Sequence, residues 1–344
     1  MCEQHGSPPA RRVKQAIYSG PCAQQLYGQT PNGIDAMIEV SQLTKTYGAE
    51  RAVDSISFDI HRGEVVGFLG PNGAGKTTTM KVITGYLPPT EGTVFVDGCD
   101  VREDTLSIRR NIGYLPESTP LYRDMVTYDY LAFVAAMRGV PSEKRNGRIA
   151  DMTQVCGLGD VLGKRIDALS KGYRQRVGLA QAMIHDPAIL ILDEPTSGLD
   201  PNQIVEIREL IKAIGREKTV VLSTHILPEV QASCDRVLII HKGRLVADGA
   251  PQDLQANFAG ERRVQFGVRA PLETATQALM DTGSVRILDS QASDDESLFT
   301  LSTDGKDDVR DALFHLAVAR GWTLTELHQD RTNLEDVFRQ LTAI

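Results

Sequence analysis

VVGFLGPNGAGKTTTM, residues 65–80, decides how this chain folds. It opens on an uncharged apolar run, as a strand buried on both faces requires. It then turns through Gly70-Pro71-Asn72-Gly73-Ala74-Gly75-Lys76-Thr77, and continues into a run of helix-compatible residues. The middle portion fits G-x-x-x-x-G-K-[ST] in full, between a strand and a helix, which is the context the pattern needs. The glycines let successive backbone N–H groups curl around a phosphate. Lys76 reaches the β- and γ-phosphates, and Thr77 offers a hydroxyl to Mg²⁺, with Thr78 following it into the helix. The ligands expected from this stretch alone are ATP and Mg²⁺.

Downstream, ILILDE at 189–194 is a continuously apolar strand ending in two adjacent carboxylates. Such a pair can simply cap the next element. In a chain that also holds the glycine loop, Asp193 is the expected Mg²⁺ residue, acting through water, and Glu194 the group that orients and deprotonates the attacking water. TVVLSTH at 219–225 is the next buried strand. A lone His at a strand end is most often a polar terminus. One strand beyond the acidic pair, His225 is better placed to touch the γ-phosphate and brace Glu194. LSKGYRQR at 169–176 puts Ser170 and Gly172 at the entry to a helix, a second anion-binding arrangement in one ATP-binding unit.

These elements, in this order, resemble the nucleotide-binding domain of ABC transporters from residue 37 to about residue 260. LSKGY stands where the family has its signature, SGLD at 197–200 where it has its D-loop, and His225 where it has its switch histidine. The resemblance explains the second anion site. In the family two such domains pair head to tail, so Ser170 and the N–H of Gly172 would serve a phosphate held by the partner's P-loop. Asp200 would lie at the contact between subunits. Tyr47, in KTYG, matches the aromatic residue that stacks on adenine. Two departures stand out. The signature reads LSKGY rather than LSGGQ, and IGYLPE at 112–117 has Glu117 where the family usually has the Gln that touches Mg²⁺ and water. A carboxylate can also ligate Mg²⁺.

The wording of LPESTPLY and LSKGYRQRVGLAQA is similar to the ATPase subunits of ABC-2-type exporters, in the gliding-motility-associated and multidrug or polysaccharide export branch. A C-terminal extension ending in something like LEDVFRQLT also belongs to that resemblance. It implies an ATPase driving export through a separate ABC-2-type permease, peripheral on the cytoplasmic face of the inner membrane. One chain supplies both P-loop and signature, so a homodimer would build two competent sites. Rival classes fit less well. Ribosome-acting ABC ATPases resemble tandem fusions, whereas this chain has one P-loop and one signature. Chromosome and DNA-repair ATPases insert long coiled coils where this chain has room only for a helical subdomain. A soluble, regulatory ABC ATPase without a transport role is the alternative.

Composition bounds these readings. The 344 residues are 41% hydrophobic and 24% charged, which is ordinary for a globular protein of two domains. A net charge of −8 argues against a nucleic-acid partner. No apolar run approaches the roughly 18 residues of a membrane span. Cys2, Cys22, Cys99, Cys156 and Cys234 are scattered without CxxC spacing and read as reduced thiols. Residues 1–36 lack periodicity and are expected to be a disordered tail, with Met37 as the natural start. The expected fold is a P-loop α/β core carrying an antiparallel β subdomain and a helical subdomain over 37–261. Residues 262–344 follow the order β-α-β-β-α-β, a small ferredoxin-like α+β domain that would aid dimerisation or regulation.

Overall fold

A computed structural model describes residues 36–257, 262–293, 295–303, 308–330 and 334–342. The expected N-terminal tail lies almost wholly outside them. Backbone packing divides the chain into two compact units that meet at Val246 and Ala247.

In the first unit, β1 (Ala36–Tyr47) and β2 (Glu50–His61) form a long antiparallel hairpin. Then come β3 (Val65–Leu69), α1 (Lys76–Ile83), β4 (Glu91–Val96) and β5 (Cys99–Asp100). The antiparallel sheet has the order β2-β1-β4-β5. Next are α2 (Thr105–Asn111), β6 (Ile112–Leu115), and three helices of a subdomain, α3 (Thr127–Met137), α4 (Ser142–Val155) and α5 (Lys171–Met183). The chain returns through β7 (Ile189–Asp193), α6 (Pro201–Gly215), β8 (Thr219–Thr224), α7 (Leu227–Ser233), β9 (Arg236–His241) and β10 (Arg244–Gly249), the last of which crosses the division between units. The six-stranded sheet has the order β10-β9-β3-β8-β7-β6.

That sheet separates two cores because side chains alternate along a strand. Ile189 and Ile191 of β7 face the core shared with β1, β4 and α1. Leu190 and Leu192 face the core shared with α3, α5 and α6. With both faces covered, β3, β7 and β8 are buried at every position, which is why their sequences are continuous rather than alternating.

Register then decides where chemistry can occur. β3 pairs in parallel with β8 (Leu69↔Thr224), β8 with β7 (Ser223↔Asp193), and β7 with β6 (Leu192↔Leu115). Four neighbouring strands therefore end along one rim, the position at which open parallel sheets bind ligands. The glycine loop, Glu117, Glu194 and His225 all follow these ends within two residues.

The second unit contains α8 (Pro251–Asn257), β11 (Arg262–Arg269), α9 (Leu272–Thr282), β12 (Arg286–Ser293), β13 (Glu296–Thr303), α10 (Arg310–Arg320), β14 (Thr323–Asp330) and α11 (Leu334–Thr342). Its sheet order, β12-β13-β11-β14, with every neighbouring pair antiparallel, is that of the ferredoxin-like unit read from the sequence. Phe266, Phe299 and Leu301 of the sheet pack with Leu279 of α9 and Leu313 of α10 as its core.

Candidate functional site

A cavity of about 690 Å³ opens at the rim of the parallel sheet. It is lined by Tyr47, Glu50 and Ala52, by Asn72 to Thr78, and by Glu117, Glu194, Ser197 and His225. The glycine loop forms its floor for steric reasons. Gly75 has φ 107, and a Cβ there would stand 2.5 Å from the Ala52 carbonyl oxygen; at Gly70 it would stand 2.4 Å from that of Ile240. Gly75 caps α1 without a side-chain hydrogen bond, and the first turn of that helix has no acidic residue. Its leading N–H groups and dipole are thus available to an anion. Lys76 is buried, its Nζ donating to the carbonyls of Gly70 (2.8 Å) and Pro71 (3.2 Å).

The acidic pair splits in two directions. β7 ends at Asp193, which points into the protein; Glu194 sits past the strand at φ 50, a region uncommon for a residue with a side chain, and points into the cavity. Glu194 Oε1 lies 3.4 Å from Lys76 Nζ and Oε2 lies 2.7 Å from His225 Nδ1. Asp193 Oδ1 accepts from the hydroxyls of Thr77 (3.2 Å) and Ser223 (2.5 Å). Its Oδ2 is buried with no hydrogen-bond partner among the described residues. A buried, unsatisfied carboxylate oxygen beside a threonine hydroxyl is a donor set that fits a hard divalent cation, which takes oxygen ligands and retains water. Among the described residues no group of three or more His, Cys, Asp or Glu could hold a metal by itself. A cation here would have Thr77 and Asp193 on its protein side.

Of the residues read from the sequence, the structure gathers Tyr47, the glycine loop, Glu117, Glu194 and His225 around one cavity, with Asp193 directly behind Thr77. It does not bring Ser170, Gly172 or Asp200 there. Ser170 caps α5, accepting from the Tyr173 N–H (3.3 Å), and Asp200 caps α6, accepting from that of Gln203 (2.9 Å). Gly172 lies so close to the Gln203 side chain that a Cβ would stand 2.5 Å from it. Sequence reasoning missed Ser223, whose hydroxyl also accepts from the Glu194 N–H (3.1 Å) and so ties both carboxylate residues to β8. Its signal was a hydroxyl at the end of an otherwise apolar strand. Glu50, Ala52 and Ser197 had no such signal.

A second cavity, of about 320 Å³, is lined by Thr84, Tyr86, Arg109, Ile112, Tyr114, Met137 and Arg138. Arg109 stacks over Tyr86 (5.1 Å) and donates to the Gly85 carbonyl; Arg138 donates to the Arg109 carbonyl. Their hydrogen-bond partners here are carbonyls. Burial pulls the Arg138 guanidinium below its ordinary range, and the Arg109 charge adds to this. Burial also raises the Tyr114 hydroxyl well above the usual tyrosine value, with the Asp193 charge contributing, and that hydroxyl has no partner among the described residues. Tyr86 and Met137 leave 63% and 65% of their surface exposed at the rim.

The family model described as "ABC transporter" matches residues 53–197. The chain is 37% identical over 67% of its length to the "Probable multidrug ABC transporter ATP-binding protein YbhF" of Escherichia coli (strain K12) and spans 40% of that relative. It is 31% identical to the linearmycin resistance ATP-binding protein LnrL of Bacillus subtilis (strain 168), over 89% of this chain and 98% of that one. Among solved structures it is similar to the dimeric post-hydrolysis state of the ATP-binding cassette MJ0796 bound to ADP and Pi. The TM-score is 0.58 at 26% identity, covering 62% of this chain and 98% of that one.

Proposed function

This chain belongs to the ABC transporter family of ATP-binding proteins, and from that premise we propose that it is the ATP-hydrolysing subunit of an exporter whose membrane-spanning permease, of the ABC-2 type, is a separate chain. The observation that carries this reading is the convergence of Lys76, Glu194 and His225 above the Thr77–Asp193 pair, at four aligned strand ends.

The adenine ring of ATP stacks on Tyr47, and the phosphates lie along the N–H groups of Gly73 to Thr77. Thr77, Asp193 and Glu117 would hold Mg²⁺, which when bound would neutralise phosphate charge. Lys76 leaves its carbonyl partners for the phosphate oxygens, since a charged acceptor gives the stronger bond. Glu194 accepts the proton of the attacking water as the oxygen bonds to the γ-phosphorus and the bond to the β–γ bridging oxygen breaks. His225 fixes the direction of the Glu194 carboxylate and meets the γ-phosphate. Ser170 and Gly172, remote from their own cavity, cap the γ-phosphate of a second copy, with Asp200 at the contact. ATP then holds a dimer closed and hydrolysis releases it. The dimeric form of the MJ0796 cassette supports the pairing of two copies.

No helix among the described residues is long and apolar enough to cross a membrane, and in this reading the permease does so. The arginine- and tyrosine-lined cavity suits such a partner. It offers two guanidiniums and an unsatisfied phenol to an acidic side chain, and an exposed Tyr and Met to its apolar surroundings. The chain would thus be peripheral, on the cytoplasmic face of the membrane. The relative named for linearmycin resistance supports outward transport.

The test is capture of partners on tagged Glu194→Gln protein from detergent-solubilised native membranes with ATP, read by mass spectrometry. A polytopic membrane protein in near-equal amount is the expected result. Recovery of ribosomes, of DNA-associated proteins or of no partner would remove the transport claim and leave a soluble ATPase.

A further inference from the structure

We propose that Glu229, in the first turn of α7, is a positioning residue that sets the geometry of the Glu194–His225 pair, an inference that rests on the catalytic assignment proposed above. Glu229 does not line the nucleotide cavity and is only 3% exposed. Its two carboxylate oxygens are committed to different segments, the turn after β7 and the end of β8. Oε1 accepts from the hydroxyl of Thr196 at 2.5 Å, and Oε2 from that of Thr224 at 2.7 Å. Thr196 lies two residues after Glu194, and Thr224 is the residue before His225. One buried side chain therefore ties the loop that carries the base to the loop that carries the histidine.

Both loops need such a tie. Glu194 holds φ 50, and a side-chain-bearing residue persists in that region only where its surroundings over-determine it. Its N–H is fixed on one side by the carbonyl and hydroxyl of Ser223, and Thr196 fixes the turn on the other. The His225 side chain is 44% exposed, so packing alone does not set its direction. Its backbone is set instead by Thr224, whose hydroxyl donates to Glu229 while accepting from the Ile226 N–H at 3.0 Å. A carboxylate is suited to this position because it only accepts and both of its partners are hydroxyl donors. Thr196 and Thr224 are themselves buried, so neither hydroxyl has water as a ready substitute.

The experiment is a double-mutant cycle on the full chain. Steady-state ATP hydrolysis and Mg-ATP affinity are measured for Glu229→Gln, His225→Ala and the double variant. Gln keeps the shape but turns an N–H₂ towards one threonine, forcing that hydroxyl to redirect its proton. Loss of one charge-assisted hydrogen bond predicts a fall in kcat of about tenfold. KM and the affinity for Mg-ATP should change by less than about twofold, because Glu229 touches no nucleotide group. In the His225→Ala background the Glu229→Gln loss should shrink to about threefold, since the tie to Thr224 then has no histidine to place while the tie to Thr196 still acts on the Glu194 turn. Thr224→Val tests the tie without altering Glu229 and should repeat the kcat loss, with Thr224→Ser restoring it. Wild-type kcat in Glu229→Gln, or losses that multiply in full in the double variant, would overturn the proposal. Unimpaired hydrolysis by Glu194→Gln, measured in parallel, would instead overturn the catalytic assignment beneath it.

Discussion

His225 Nδ1 stands 2.7 Å from Glu194 Oε2, and the opposite oxygen of the same carboxylate faces Lys76 Nζ at 3.4 Å. Both oxygens of Glu194 are thus held in fixed directions, one by the histidine and one by the lysine. A carboxylate so held is a base aimed at one point rather than a mobile surface acid. Glu194→Gln keeps the shape and removes the basicity. ATP turnover should fall by roughly 100- to 10,000-fold while Mg-ATP binding persists. With ATP the variant should run as a dimer in size-exclusion chromatography. Turnover at the wild-type rate would mean that another group is the base.

The glycine loop makes a sharper test than replacement of its lysine. Gly73 and Gly75 both have positive φ, 79° and 107°, but only Gly75 lies against backbone, with the Ala52 oxygen in the way of any Cβ. Gly73→Ala should cost about 1–3 kcal/mol of local strain. Gly75→Ala adds a clash that no side-chain movement relieves. Its Mg-ATP affinity should be weaker than that of Gly73→Ala by at least about tenfold, as read by titration calorimetry. Equal affinities would show that the loop shifts as a whole to accept the methyl.

Most of this site was legible because its groups follow buried strands, and buried strands announce themselves. VVGFL, ILILD and TVVLST are apolar runs too short for helices, and the glycine loop, Glu194 and His225 begin just past their ends. β6 was harder to read. Ile112–Leu115 is a short edge of the sheet, and its pairing with β7 could not be inferred from local pattern. The Thr196–Glu229–Thr224 tie was invisible for a different reason. Spacing along the chain carries no information about a contact between residues 33 apart, one in a loop and the other in α7. Ser170 and Gly172 were legible through their family resemblance, although inside their own chain they serve helix capping and close packing.

Glu117 stands where a glutamine is usual in the family, and it lines the nucleotide cavity among oxygen donors. Either side chain can present an oxygen to a divalent cation. Glu117→Gln should therefore hydrolyse ATP at or above the wild-type rate, measured as phosphate release at saturating Mg-ATP. Complete inactivity would show that the second carboxylate charge is required.

The second cavity predicts the chemistry of docking. Arg109 and Arg138 spend their described hydrogen bonds on carbonyls, so an acidic side chain entering the cavity would gain two charged donors. Arg138→Glu reverses one of these and should abolish recovery of a membrane partner in the capture experiment. Mg-ATP affinity of the isolated chain should stay within about twofold, because Arg138 is absent from the wall of the nucleotide cavity. Undiminished capture would place docking elsewhere.

His185 gives the stability a pH dependence of known sign. Its ring Nε2 faces the Ile112 carbonyl at 3.2 Å, and burial, reinforced by the nearby charge of Arg138, lowers its pKa from 6.5 to about 4. Above pH 6.5 the ring is neutral whether the chain is folded or not, and it contributes no pH dependence. As pH falls from 6.5 towards 4, the unfolded chain takes up a proton that the folded one refuses, so stability declines over this window and then levels. The loss from this group is on the order of 3 kcal/mol. His185→Gln keeps a side-chain donor for the Ile112 carbonyl and cannot titrate. Urea unfolding at pH 7.5 and pH 4.5 should show a smaller difference for the variant than for the wild type. Identical differences would mean that the ring is protonated in the folded protein at the lower pH.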